Sequence, residues 1–321
     1  MKQKEFRIVF MGTPEFAVHI LDELYKQAYN IVGVVTAPDK PAGRGQILHH
    51  SAVKQYALQK HTPILQPVSL KDPEFIDELK NLHADLFVVV AFRMLPEIVW
   101  SMPLKGTINL HASLLPQYRG AAPINWAIMN GETETGVTTF FIEKEIDTGN
   151  IIKQSRILIG HNETVGELYI RLMELGATVM NSTVHKIMEG NANGVPQQEL
   201  INGEEKAAPK LFKNDCEIGW NNPVQHVHNF IRGLSPIPGA WCFLLNQKTG
   251  EKKSFKFFKS EISDQKIQDN CSLLESKEGI LVPCSDFYLK ILELQVEGKK
   301  RMSFSDFLAG NQIQDWKIIR E

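Results

Sequence analysis

The chain has 321 residues, of which 43% are hydrophobic, enough for two globular domains with sizeable cores. Its formal net charge of −2 argues against broad nucleic-acid binding, although residues 207–321 are mildly basic, with 16 basic and 14 acidic side chains. There is no signal-peptide pattern and no apolar run near the ~18 residues of a transmembrane helix, so we expect a cytoplasmic protein without membrane association.

The chain opens with the pattern of a strand, a helix and a second strand. Residues 6–11 read as a buried strand, residues 14–29 as a helix and residues 31–37 as another buried strand. This βαβ unit predicts parallel pairing with a right-handed crossover. Only Gly12 lies in the first turn, so the glycine fingerprint of dinucleotide-binding folds is absent.

Residues 38–45 (P-D-K-P-A-G-R-G) predict a loop that carries Lys40 and Arg44. From the residues alone, a plain surface connection and a basic loop that grips phosphate are equally open. Helices are predicted at 51–60, where Ser51 is a possible cap, and at 73–82.

A strongly buried strand is predicted at residues 86–91, and Phe92, Arg93 and Met94 follow it. Ligands of open α/β sheets bind at the carboxyl ends of the strands. This segment is therefore a candidate for ligand binding.

The next strand carries Asn109 and His111 two positions apart, so both side chains project to one side. Asn109 can donate to an oxygen that becomes negative, and His111 can exchange a proton near neutral pH. Asp147, in a later turn-rich loop, can orient the imidazole or position a water. The set suits transfer of a carbonyl-bearing group to a nucleophile on the substrate, although a structural role for the pair stays open.

The remaining elements divide the chain in two. A helix at 123–130, strands at 135–141 and 151–159 and a long helix at 163–188 precede a turn-rich stretch at 190–209, which is the best linker. Short alternating runs then suggest an all-β module, in which an OB-fold and a generic barrel are both open. The four cysteines form no C-x-x-C pair, so we expect thiols and no metal site.

The segment N-L-H-A-S-L-L-P-Q-Y-R-G-A-A-P-I, with D-T-G at 147–149, resembles the core of the folate-dependent formyltransferases. It is most similar to their methionyl-tRNA formyltransferase branch, as are G-T-P-E-F-A near the start, P-D-K-P-A-G-R-G, and I-R-G-L-S-P-I-P-G-A-W at 231–241. The tRNA branch usually has Tyr-Gly at Phe92-Arg93 and Asp at Asn150. Because Phe92-Arg93 differ from Tyr-Gly, the pattern does not define which side chains line the pterin pocket.

The resemblance implies roles for individual residues. Asn109, His111 and Asp147 would form a catalytic trio. Lys40 and Arg44 would meet the acceptor end of the tRNA. The folate site would contain Phe92, Arg93, Met94, Ser113, Leu114, Leu115 and Pro116.

The resemblance also implies an α/β protein with a Rossmann-like parallel-sheet formyltransferase domain at residues 1–189. A linker at 190–209 and an OB-like, tRNA-binding β-barrel domain at 210–321 would follow. The expected reaction moves the formyl group of 10-formyltetrahydrofolate to the α-amine of methionyl-initiator tRNA, without a metal or an obligate protein partner.

Four alternatives stay open. The acceptor could be a small amine, as in purine-pathway or nucleotide-sugar formyltransferases, or water, as in formyltetrahydrofolate hydrolases. The chain could instead be an RNA-binding protein with a degenerate α/β domain. A nicotinamide oxidoreductase is disfavoured by the missing glycine fingerprint.

Overall fold

A computed structural model describes residues 3–42, 47–201, 203–267 and 272–319. Short 3-10 turns occur at Gln197–Leu200, Asn214–Cys216 and Ile313–Asp315. The helices are α1 (Glu15–Lys26), α2 (Ala52–Gln59), α3 (Pro73–Asn81), α4 (Glu97–Trp100), α5 (Pro123–Met129), α6 (Val165–Glu189), α7 (Val224–Leu234) and α8 (Phe304–Leu308).

The strands, in chain order, are β1 (Arg7–Gly12), β2 (Asn30–Val35), β3 (Lys40–Ala42), β4 (Ile47–His49), β5 (Ile64–Leu65), β6 (Leu86–Val90), β7 (Thr107–His111), β8 (Arg119–Gly120), β9 (Glu134–Phe141), β10 (Ile151–Leu158), β11 (Ala207–Ala208), β12 (Ala240–Asn246), β13 (Lys252–Lys266), β14 (Leu274–Ser276), β15 (Gly279–Pro283), β16 (Phe287–Val296), β17 (Met302–Ser303) and β18 (Trp316–Ile318).

The N-terminal sheet follows the order β10-β9-β7-β6-β1-β2-β5. The pairs β5/β2, β2/β1, β1/β6 and β6/β7 are parallel, and β9 joins β7 antiparallel. The chain runs from β1 outward to β5 and then returns to the other side of β1 with β6. This reversal is the topological switch point at which open α/β sheets form a ligand crevice.

A close approach of backbone explains the single glycine at the end of β1. A Cβ atom on Gly12 would come within 2.6 Å of the Cβ of Ala17 and 3.0 Å of the carbonyl oxygen of Val90. Only glycine lets β1 end this close to α1 and β6. The carboxyl ends of β1, β6 and β7 therefore meet at one edge, where the candidate residues lie.

The C-terminal sheet is antiparallel, in the order β14-β15-β16-β13-β12-β18, with β17 beside β16. Register shifts along the β13/β16 pair bend the long strand β13 and curl the sheet into a half-barrel. The fold class is confirmed: a parallel-sheet α/β domain precedes a mainly β C-terminal domain.

Two elements differ from the sequence-based expectation. Helix α7 lies in the module predicted to be all β; Val224, Val227, Ile231 and Leu234 pack into the core of the C-terminal sheet. Part of the predicted loop 38–45 is also regular, because β3 pairs with β4 as a hairpin from Lys40 opposite His49. Among the described residues, no helix is both long and apolar enough to cross a bilayer.

The chain separates into two compact units. One contains Met1–Gly120, Gly136–Ile157 and Arg171–Ala207. The other contains Ala121–Thr135, Leu158–Ile170 and Ala208–Glu321. Each unit thus draws on more than one stretch of sequence.

Candidate active site

His111 ends β7, and its imidazole lies between a backbone carbonyl and a carboxylate. The Nε2 atom is 2.8 Å from the carbonyl oxygen of Tyr118. Because a carbonyl only accepts, Nε2 carries the proton and the neutral ring keeps its lone pair on Nδ1. Asp147 Oδ2 lies 3.7 Å from Nδ1, and the two side chains are only 7% and 13% exposed. This distance is too long for a direct hydrogen bond but short enough for the carboxylate to stabilise a protonated ring.

Asp147 is held in an unusual backbone conformation. Its φ of 56° lies in the left-handed region, which a non-glycine residue occupies at an energetic cost. Its Oδ2 accepts a hydrogen bond of 3.1 Å from the amide of Gly120. Its carbonyl oxygen accepts from Arg119 Nε at 3.1 Å and from Gln197 Nε2 at 2.8 Å. Hydrogen bonds to both the side chain and the backbone of Asp147 therefore hold the carboxylate in place.

Asn109 lies two residues before His111 on β7 and is half-buried. Strand alternation sends both side chains to one side of the sheet. Within the described ranges, no residue forms a hydrogen bond with the carboxamide of Asn109. Its N–H groups are thus available to an oxygen of a bound substrate.

The segment after β6 offers free backbone groups. Within the described part of the chain, the amides and carbonyls of residues 92–95 form no hydrogen bond. The guanidinium of Arg93 donates to the carbonyls of Pro67 and Val68, the latter at 2.8 Å, and so anchors the segment. These backbone donors and acceptors lie at the switch-point edge and are available to a ligand whatever side chains stand at Phe92-Arg93.

Residues 113–116 are mostly committed to the scaffold. Ser113 is fully buried, and its hydroxyl donates to the carbonyl of Gln117 at 2.6 Å. The carbonyl of Leu115 accepts from Gln154 Nε2 at 2.7 Å, and the Leu115 side chain is in a small core cluster. Pro116 is also buried, whereas Leu114 is half-buried. Of the four, Leu114 alone keeps a partly exposed side chain.

The basic hairpin begins at Lys40, which is exposed at the start of β3. Asp39, immediately before it, accepts from Lys54 Nζ at 2.5 Å and from Gln66 Nε2 at 3.0 Å. The hydrogen bond from Lys54 is the main cause that holds the pKa of Asp39 well below its ordinary value. The base of the hairpin is therefore tied to α2. Arg44 lies outside the described residues.

Sequence reasoning did not find the groups that hold His111 and Asp147 in place. The carbonyl of Tyr118 and the amide of Gly120 are backbone atoms, which no residue pattern identifies. Gln197 lies in the predicted linker and donates a hydrogen bond to the carbonyl of Asp147, which is 50 positions away in the sequence. Only the folded chain brings these groups together.

Asn109 and His111 thus share one side of β7, and Asp147 lies beside His111 at the carboxyl edge of the parallel sheet. An amide, an imidazole and a carboxylate in this arrangement suit an enzyme that transfers a carbonyl-bearing group between substrates. Comparison with known proteins agrees. A family model described as formyl transferase matches residues 6–184, and one described as formyl transferase, C-terminal domain, matches residues 210–312. The chain belongs to the formyl transferase family.

Relatives and solved structures cover nearly the whole chain. A methionyl-tRNA formyltransferase of Bacteroides fragilis is 51% identical over 313 residues, which are 97% of this chain and 96% of that protein. The sugar 3N-formyl transferase WlaRD, solved with dTDP and 5-N-formyl-THF, has a TM-score of 0.63 at 22% identity and covers 92% of this chain and 99% of its own. HypX from Aquifex aeolicus with tetrahydrofolic acid has a TM-score of 0.64 at 17% identity, over 98% of this chain and 51% of its own. The two structures show likeness of fold.

Proposed function

We propose that this enzyme transfers the formyl group of 10-formyltetrahydrofolate to the α-amine of methionine on initiator tRNA. The observation that carries the proposal is the His111–Asp147 pair, assembled in a chain that matches a protein named for this reaction along nearly its full length. The product is N-formylmethionyl-tRNA, which serves translation initiation. A cytoplasmic location belongs to the same proposal.

Asn109, His111 and Asp147 are the proposed catalytic trio. The neutral amine of the methionyl group attacks the formyl carbon, and the amide N–H of Asn109 donates to the oxygen as it becomes negative. His111 exchanges a proton through Nδ1, because Nε2–H is held by the Tyr118 carbonyl. Asp147 stabilises the ring when it is protonated.

The bonds balance without a covalent enzyme intermediate. A carbon–nitrogen bond forms to the methionyl amine, and the bond from the formyl carbon to the folate nitrogen breaks. The amine loses one proton and the leaving folate nitrogen gains one, with His111 Nδ1 as the proton carrier.

We assign the substrate contacts as follows. The backbone of Phe92, Arg93 and Met94 binds the pterin, and Leu114 packs against the folate. Ser113, Leu115 and Pro116 shape the loop from within the scaffold. Lys40 and Arg44 contact phosphates of the tRNA acceptor end, and the mildly basic C-terminal domain holds the rest of the tRNA.

The test is a formylation assay with 10-formyltetrahydrofolate and charged initiator tRNA. Uncharged tRNA, charged elongator tRNA and free methionine are run beside it. Formyl-methionine on charged initiator tRNA alone is the expected result.

Other outcomes contradict the proposal in different ways. Formate release without formyl-methionine would identify a hydrolase, and formylation of a small amine would identify a different acceptor. Folate and tRNA binding without turnover would favour an RNA-binding protein. A fluorescence titration with reduced nicotinamide cofactors, expected to show no binding, tests the oxidoreductase.

A further inference from the structure

Gln197 is buried in a segment whose neighbours face solvent. Its side chain is 0% exposed, whereas Gln198 and Glu199 are both exposed. The segment follows α6 and reaches the active-site loop through the antiparallel bridge of Val195 with Ile151. A buried carboxamide must find partners for its N–H groups and its oxygen.

All hydrogen-bonding positions of the Gln197 carboxamide are used at the active-site loop. Its Nε2 donates to the carbonyls of Asp147 at 2.8 Å and Gly149 at 2.9 Å. Its Oε1 accepts from Arg119 Nε at 3.0 Å and Nη2 at 2.6 Å. Two donors and two lone pairs are thus satisfied, which leaves the amide one orientation.

These contacts fix the residue that faces His111. Asp147 has a left-handed φ, which persists only when its surroundings hold it. The Gln197 amide donates hydrogen bonds to the backbone on both sides of Thr148. Arg119 adds to this restraint, because its Nε also donates to the Asp147 carbonyl and its Nη1 pairs with Glu205 at 2.7 Å. A rotation of this backbone would move the carboxylate relative to His111 Nδ1.

We propose that Gln197 is a positioning residue for formyl transfer, which holds the Asp147 carboxylate at its working distance from His111. The inference rests on the proposed catalytic role of Asp147. It assigns a function in the chemical step to the stretch after α6, which the sequence pattern predicts to be a linker.

The decisive variant is Gln197→Glu, which keeps the shape and the acceptor for Arg119 but removes both N–H donors. Gln198→Glu is the matched control, because it makes the same change at the exposed neighbour. We expect Gln197→Glu to lower the single-turnover formylation rate by about 10–100-fold, since small misplacements of catalytic groups cost that much. The apparent Michaelis constants for both substrates should change less than about twofold. Gln198→Glu should match the parent.

A double-mutant cycle separates positioning from general damage. If Gln197 acts through Asp147, then Gln197→Glu should slow the Asp147→Asn enzyme by less than about twofold. A full additional loss in that background would overturn the proposal, as would a Gln197→Glu enzyme as fast as the control. Should Gln197→Glu fail to fold in thermal melts, Gln197→Asn, which keeps a neutral amide one methylene shorter, takes its place in the same cycle.

The two levels of the proposal fail differently. If the parent enzyme does not formylate methionyl-tRNA, or if Asp147→Asn keeps the parent rate, the proposed function or the role of Asp147 is wrong and this inference falls with it. If Asp147→Asn is slow while Gln197→Glu is not, only the role of Gln197 is wrong.

Discussion

A buried histidine in the C-terminal domain should make this protein sensitive to mild acid. His228 on α7 is 1% exposed, with Nδ1 3.0 Å from Ser260 Oγ. Among the described residues, no group forms a hydrogen bond with its Nε2. Burial, followed by the nearby charge of Arg232, lowers the pKa of His228 from 6.5 to about 4. The ring of His161 stacks beside it at 6.2 Å between centroids.

The sign and size of the effect follow from proton linkage. Between pH 6.5 and about 4 the unfolded chain binds a proton at His228 that the folded chain does not. The contribution to the free energy of unfolding is therefore complete above pH 6.5 and is lost as the pH falls toward 4. Each pKa unit corresponds to about 1.4 kcal/mol, so the full loss is about 3 kcal/mol, of which about 2 kcal/mol falls between pH 7 and 5.

Urea unfolding at about pH 7, 6 and 5, followed by the fluorescence of tryptophans in the C-terminal domain, measures how the free energy of unfolding changes with pH. His228→Asn, which keeps a polar atom near Ser260, should lose about 2 kcal/mol less than the parent over that range, although it is less stable overall. His226→Asn is the matched control, because His226 is exposed on the same helix. A His228→Asn protein with the same pH dependence as the parent would refute the assignment.

The remaining tests concern the catalytic trio, the loop behind it and the basic hairpin. Alanine at any member of the trio should lower the single-turnover rate by ~10²-fold or more while substrate binding changes less, and near-normal chemistry in one variant would remove that residue from the mechanism. Gly149→Ala should destabilise the protein by about 1–3 kcal/mol and slow turnover, because a Cβ there would lie 1.7 Å from the carbonyl oxygen of Phe141. Gly310→Ala, where nothing lies within 4 Å, should leave both the melting temperature and the rate unchanged. Arg44→Ala should raise the apparent Michaelis constant for tRNA more than that for folate, and an unchanged tRNA constant would contradict the role given to the loop.

Local periodicity was sufficient for most of the N-terminal sheet. The apolar runs of β1 and β6 and the helical spacing of α1 place these elements within a few residues of their observed bounds. The same rule would have found α7, since Val224, Val227, His228 and Ile231 follow helical spacing. The alternating runs after it and the proline-rich turn at 233–239 favour strands, so the prediction for this module contained strands alone. The sequence does contain the helical signal for α7, beside patterns that favour strands.

The groups that position His111 and Asp147 are of a different kind. Asn109 and His111 are detectable because strand alternation puts them on one side, and Asp147 because of its D-T-G turn. Gln197 shows no period, cap or turn signal. Its burial depends on hydrogen bonds to residues 50 and 78 positions away. Propensity and pattern describe neighbours in sequence, so they cannot reveal a polar residue whose partners exist only in the folded chain.

The residues around Gln197 and Glu205 should therefore influence the chemical step. Beyond Gln197, Glu205 pairs with Arg119, and the carbonyl of Lys206 accepts from the amide of Tyr118, whose own carbonyl holds His111. These residues thus contact Tyr118, which holds the imidazole of His111, and Arg119, which helps to hold Asp147. Any event that pulls Gln197, Glu205 and Lys206 away from the loop would loosen both partners of the His111–Asp147 pair at once. Changes in this stretch should accordingly lower the rate of the chemical step before they weaken folate binding, because residues 92–95 form no hydrogen bond with it in the described chain.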